Sequence, residues 1–253
     1  MGRGCLPTHS LLRNMTASAQ IASVAGSLLI FDLDGTLVDT VPDLADALNE
    51  VLQERDLPPF SPAEIKPMVG DGIPALVARG LAARGADQRD AAALARFMAI
   101  YEANAARRSR TYPGVRDTLE TLRALGFATA VCTNKAQRAT HAVLQGLGLL
   151  GLFDAVAGGD RYPVRKPDPG HLFRLIEEVG SDVAASAVIG DSENDAAAAH
   201  AARLPLVLMR YGYARTDPDR LGAAAVLDRF AELPAALARL GLTPSAPDEP
   251  GRS

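Results

Sequence analysis

The chain has 253 residues, 48% of them hydrophobic and 22% charged, enough for one large domain or a core carrying a smaller one, and too apolar for a disordered chain. Lys and Arg number 26 against 30 Asp and Glu, a net charge of -4, which offers no electrostatic footprint for nucleic acid or an anionic membrane. Cys5 and Cys132 are the two cysteines; they form neither a C-x-x-C pair nor a zinc pattern, which excludes a disulfide framework and fits a reducing, cytoplasmic setting.

Residues 1–26 carry Arg3 and Arg13 and no acidic residue, but Pro7, His9, Arg13, Asn14 and Gln20 interrupt any apolar run. This is neither a secretory signal nor a lipidation motif, and it reads as a leader without fixed structure, with Met15 a candidate start. A second such stretch is expected over 241–253.

The run Leu28 to Phe31 reads as a buried strand that breaks off in Asp32-Leu33-Asp34-Gly35-Thr36. The next segment, 41–110, has no convincing strand. Leu44, Ala47, Leu48, Val51 and Leu52 share one helical face; Ser61-Pro62-Ala63-Glu64 is a capping box opening a second helix that Gly70-Asp71-Gly72 ends. A third helix is expected over 74–84 and a fourth over 90–106. From Tyr112 onward strands alternate with helices, the strands being Ala128 to Cys132, Ala155 to Ala157, Ala187 to Ile189 and Leu206 to Met209, with Ala225 to Leu227 as an edge. The fold class is therefore α/β: a Rossmann-like parallel sheet with helices on both faces, formed by 27–40 and 111–240, interrupted by an all-helical cap over 41–110.

Ligands of open α/β sheets sit beyond the carboxyl ends of the strands. The first strand delivers Asp32 and Asp34 there, the second Thr133-Asn134-Lys135, and the fourth Gly190-Asp191-Ser192 with Asp195; Arg165-Lys166-Pro167 follows the third. Acids, one hydroxyl and one ammonium make a site for a metal and a dianion. An ionised aspartate attacks an electrophile without a base, provided Mg²⁺ and Lys offset its repulsion from phosphate. Mg²⁺ takes oxygen ligands, which Asp32 and Asp191 supply. Asp34, two residues beyond Asp32, suits protonation of a leaving alkoxide and then deprotonation of water.

The segment Phe31-Asp32-Leu33-Asp34-Gly35-Thr36-Leu37 resembles the first motif of the haloacid dehalogenase superfamily of phosphatases. Cys132-Thr133-Asn134 resembles the second, Lys166 the third, and Gly190-Asp191-Ser192 with Asp195 the fourth. The resemblance implies that Asp32 is phosphorylated, Asp34 is the general acid/base, Thr133 and Asn134 hold the phosphoryl oxygens, and Lys166 neutralises charge. It also implies that Mg²⁺ is held by Asp32, the carbonyl of Asp34, and Asp191, with Asp195 positioning metal-bound water. A finer likeness, carried by Gly70-Asp71-Gly72, Thr133-Asn134-Lys135 and Arg165-Lys166-Pro167-Asp168-Pro169, is to the phosphoglycolate phosphatases of that superfamily.

The expected activity is Mg²⁺-dependent hydrolysis of a small phosphorylated metabolite, 2-phosphoglycolate by the finer likeness, by a monomer or homodimer with no nucleic-acid or membrane partner. A β-phosphoglucomutase is the enzyme alternative. A dehalogenase would not need Asp34, and an Asp-phosphorylated signalling domain would need neither Asp34 nor a cap. Gly70, Asp71, Gly72 and Lys135 are candidate substrate contacts, with Lys66 and Arg79 as further donors for a carboxylate. Arg203 stands where a left-handed helix end favours Gly. His141, His171 and His200 are scattered without metal spacing and read as structural residues at the surface or half-buried.

Overall fold

Four apolar residues, Leu28–Phe31, form strand β1, and none of them is exposed to solvent. The computed structural model that contains them describes residues 27–244 together with Met1. Beyond Met1 the expected leader, with Cys5 and Met15, lies outside the described residues, as does the tail from residue 245.

In chain order β1 leads to β2 (Val38–Asp39) and then to four helices: α1 (Val41–Gln53), α2 (Pro62–Ile65), α3 (Ile73–Ala83) and α4 (Ala91–Asn104). The chain returns through β3 (Arg110–Thr111) to α5 (Val115–Ala124), β4 (Ala128–Cys132), α6 (Gln137–Gly146), β5 (Ala155–Ala157) and α7 (Gly170–Val179). It closes with β6 (Ser186–Gly190), α8 (Glu193–Ala202), β7 (Leu206–Met209), β8 (Ala225–Leu227) and α9 (Leu233–Arg239).

The main sheet has six strands in the order β5-β4-β1-β6-β7-β8, every pairing parallel. Side chains alternate across a strand, so Leu29 and Phe31 pack with Leu119, Val143 and Leu237 from α5, α6 and α9 on one face. Leu28 and Ile30 meet Leu172, Leu175 and Ala198 from α7 and α8 on the other. Both faces are covered, as an all-parallel sheet requires. Strand β1 lies between β4 and β6, where the chain reverses its direction of growth across the sheet, and a crevice opens at such a switch point.

The helical insert buries its own core, with Leu48, Leu52, Leu81 and Phe97 at 0% exposure. Its second helix is shorter than expected: the capping box of Ser61 and Glu64 forms, but one turn later Pro67 forces a 3₁₀ turn at Lys66–Met68. The two-residue strands β2 and β3, which periodicity cannot reveal, pair antiparallel where the insert leaves and re-enters the core. Buried Asp43 fixes the return, accepting hydrogen bonds from Arg108 N (2.8 Å), Ser109 N (2.8 Å) and Ser109 Oγ (2.6 Å). Among the described residues no helix is long and apolar enough to cross a membrane.

Candidate active site

The parallel register aligns the carboxyl ends of the central strands. Phe31 is level with Val131 and Ile189, so Asp32 leaves β1 one residue later and Thr133 and Asp191 leave β4 and β6 two residues later. Asp32 N donates to Ile189 O (2.9 Å) and Thr133 N to Ala157 O (3.0 Å), which carries the sheet's hydrogen bonding into the site.

Lys166 draws two of the motifs together. Its ammonium lies 3.0 Å from Asp32 Oδ1 and 2.6 Å from Asp195 Oδ1, and it is buried. Burial alone would lower its pKa; Asp195 and Asp32 outweigh that and raise it. Asp195 is saturated, because its Oδ2 accepts from Asp191 N (3.1 Å), Ser192 N (3.1 Å) and Ser192 Oγ (2.7 Å) in the capping box that starts α8. Asp32 Oδ1 also accepts from Leu33 N (2.7 Å), while Oδ2 has no donor among the described residues.

Asp191 is anchored by Thr36 Oγ1 on Oδ1 and Tyr213 N on Oδ2, both at 2.6 Å. Two glycines make room for it: a Cβ on Gly35 would stand 2.3 Å from Asp191 Oδ2, and one on Gly212 would stand 2.2 Å from Asp191 Cβ. Sequence reasoning missed Thr36, Gly212 and Tyr213 as supports, because contacts across 155 and 22 positions leave no local pattern.

Asp34 faces away from this group. Its carboxylate accepts from Thr40 Oγ1 (2.7 Å) and from the buried ammonium of Lys135 (3.0 and 3.1 Å). Lys135 also lies 4.8 Å from the Tyr101 ring of α4, which ties the core to the insert. Asp32, Asp34, Thr133, Asn134 and Lys135 line one cavity with Leu44, Val69, Gly70, Gly72, Ile73 and Leu76 of the insert. It encloses about 390 Å³, part of it open to solvent.

The other insert residues singled out in the sequence have protein partners. Asp71 receives Arg79, Asn194 Nδ2 (2.7 Å) and Arg215 Nη2 (3.3 Å), a latch between insert and core. Arg79 also donates to Met68 O (2.8 Å), and Lys66 to Tyr211 O (3.0 Å). Asn134 Nδ2 bridges Gly70 O (3.1 Å) and Lys166 O (2.9 Å). Cys132 is a buried strand residue whose thiol is pushed up to about 12 by burial.

The acids fit a hard divalent cation. Asp32, Asp191 and Asp195 each offer an oxygen within 4.8 Å of the others. Burial, then the repulsion of Asp195 and Asp34, outweighs Lys166 and raises Asp32 to about 7; burial, Asp195 and Asp32 raise Asp191 well above the usual carboxylate range. One ammonium therefore leaves the cluster short of positive charge, and its donors are all oxygen, the set that Mg²⁺ prefers. Asp195 accepts four protein donors, whereas Asp32 and Asp191 accept fewer and are the side chains that could best hold such a cation.

The family model of haloacid dehalogenase-like hydrolases matches residues 29–209. A phosphoglycolate phosphatase of Rhodospirillum rubrum is 44% identical over 236 residues, covering 88% of this chain and 98% of that one. One of Caulobacter vibrioides is 42% identical over 226 residues, covering 88% and 95%. The crystal structure of a "predicted phosphoglycolate phosphatase" from Haemophilus somnus superposes with a TM-score of 0.79 at 32% identity, over 83% of this chain and 96% of that one.

Proposed function

We propose that this chain, which belongs to the haloacid dehalogenase-like hydrolase family, hydrolyses 2-phosphoglycolate to glycolate and phosphate through a phosphorylated Asp32. The observation that carries the reading is the pairing of Asp32, one oxygen pinned by Lys166 and the other undonated, with Asp34 on the wall of the same small cavity. Relatives at 42–44% identity bearing the name phosphoglycolate phosphatase support the substrate.

In the first step Asp32 Oδ2 attacks phosphorus while the bond to the glycolate oxygen breaks, and Asp34 delivers a proton to that oxygen. In the second, Asp34 takes a proton from water, which attacks the phosphorus of the aspartyl-phosphate and releases phosphate and Asp32. The Thr133 hydroxyl and Asn134 N–H hold the phosphoryl oxygens, and Lys166 balances their charge and keeps Asp32 in line. Asp32, the Asp34 carbonyl and Asp191 would hold Mg²⁺, which would supply the positive charge that a buried carboxylate needs to approach a phosphoryl dianion. Asp195 orients Lys166 and the Asp191 backbone. Leu44, Val69, Ile73 and Leu76 exclude bulk water.

The test is kcat/KM with Mg²⁺ over small phosphoesters. We expect 2-phosphoglycolate to exceed glucose 1-phosphate and nucleoside monophosphates at least tenfold, about 1.4 kcal/mol of transition-state discrimination. Preference for a hexose 1-phosphate, with a requirement for a bisphosphate activator, would contradict it.

A further inference from the structure

A two-carbon substrate whose phosphoryl end sits on Asp32 must place its carboxylate against a donor on the insert side of the cavity. Five cations around that cavity are already committed to protein acceptors. Lys166 is held by Asp32 and Asp195, Lys135 by Asp34, Lys66 by Tyr211 O, Arg79 by Met68 O and Asp71, and Arg215 by Asp71 and Glu193. Arg165 is the sixth. Its side chain makes no hydrogen bond or ion pair among the described residues. A Cβ on Gly72, which lines the cavity, would lie 3.3 Å from Arg165 Nη1 and 3.4 Å from Asn134 O, so the guanidinium stands at the seam where insert and core meet over the site.

The backbone beneath it is fixed. Asp168 N donates to Arg165 O (2.9 Å), and Asn134 Nδ2 donates to the carbonyl of the next residue, Lys166 (2.9 Å). Lys166 turns inward to the nucleophile while Arg165 reaches outward to the insert, so two adjacent cations serve the two anionic ends of one small ester. A guanidinium presents a planar fork of N–H donors that matches a carboxylate in a bidentate pair, and a guanidinium without a protein partner has that fork available. Gly72 also has φ +86, so a side chain is disfavoured there on conformational grounds, and without one the guanidinium stands close beside the Gly72 backbone.

We infer that Arg165 is the residue that reads the substrate's carboxylate, reaching across Gly72 to close the small-molecule end of the cavity. This rests on the phosphoglycolate reading above and adds the side chain responsible for it. The residue is exposed, so its replacement does not threaten folding.

The experiment compares 2-phosphoglycolate with its amide isostere, phosphoglycolamide, which lacks only the carboxylate charge, in the unmodified enzyme, Arg165→Ala and Arg165→Lys. The unmodified enzyme is expected to prefer the acid at least tenfold in kcat/KM. Arg165→Ala is expected to collapse that preference to within threefold, by a rise in KM for the acid with a smaller change in kcat, and Arg165→Lys to restore part of it. A preference that survives Arg165→Ala overturns the assignment of Arg165 and leaves the substrate reading standing. Equal turnover of acid and amide by the unmodified enzyme overturns the substrate reading itself.

Discussion

Lys135 and Asp34 meet ammonium to carboxylate at 3.0 and 3.1 Å, 101 residues apart in the chain, with side chains only 2% and 12% exposed. The pair orients the carboxylate assigned to proton transfer, and Thr40 Oγ1 completes its hold at 2.7 Å. Asp34→Asn keeps the shape and the backbone carbonyl but loses the transferable proton. We expect kcat on 2-phosphoglycolate to fall by about 10²- to 10⁴-fold. An aryl phosphate, whose leaving group needs no proton, is expected to lose far less in its first step. Unchanged kcat on the alkyl ester would remove Asp34 from the mechanism.

Gly212 offers a test of the metal site from outside the motifs. Its φ is not positive, so only space opposes a side chain, and the atom in the way is Asp191 Cβ at 2.2 Å. Gly212→Ala should displace Asp191 and raise the Mg²⁺ concentration for half-maximal activity at least tenfold. Chelation of the unmodified enzyme should abolish activity reversibly. An unchanged Mg²⁺ titration in the variant would mean that Asp191 is not a ligand.

His171, in the first turn of α7, is fully buried, and among the described residues neither ring nitrogen has a well-formed hydrogen bond, only a weak one with the Gly158 backbone. Burial, reinforced by Lys166 and opposed by Gly158 and Asp168, holds its pKa down from 6.5 to about 4. As pH falls the unfolded chain takes up the proton first. The stability present above pH 6.5 is therefore lost progressively down to pH 4, about 2 kcal/mol of it by pH 5. His171→Leu should lose less stability than the parent between pH 7.5 and pH 5, measured by urea unfolding. Parallel losses in the two proteins would contradict this account.

Arg203 ends α8 at φ 58, and the Schellman pattern is complete: Leu204 N donates to Ala199 O (2.9 Å) and Arg203 N to His200 O (3.0 Å). The left-handed conformation favours glycine. Arg203→Gly is expected to raise unfolding stability by about 1 kcal/mol with kinetics unaltered. Destabilisation would show that the Arg side chain has a packing role that outweighs its backbone strain.

The sheet was legible because each strand is a short apolar run that stops at a polar cluster, and the register of a parallel sheet then brings those stops together. Asp32, Thr133 and Asp191 could be placed at one edge on that ground alone. What escaped is long-range or sterically decided. Pro67 shortens the second helix although the capping box before it forms. Strands β2 and β3 are two residues each and exist because the chain crosses itself. Lys66 and Arg79 had the right charge for a carboxylate, but Lys66 finds its acceptor, Tyr211 O, 145 residues away, and Arg79 folds back on Asp71 and Met68 O across the turn that opens α3. His171, expected at the surface or half-buried, lies wholly inside against Tyr162, since a histidine carries no sequence mark of its depth.

Phosphorylation of Asp32 leaves a chemical trace. It is tested by acid-quenching the enzyme during turnover of 2-phosphoglycolate with Mg²⁺, reducing with borohydride, and sequencing the peptide by mass spectrometry. Reduction of an aspartyl-phosphate gives homoserine, so homoserine is expected at position 32, absent without substrate and absent in Asp32→Asn, which should also be inactive. Release of phosphate at full rate with aspartate intact at position 32 in every quenched sample would contradict it.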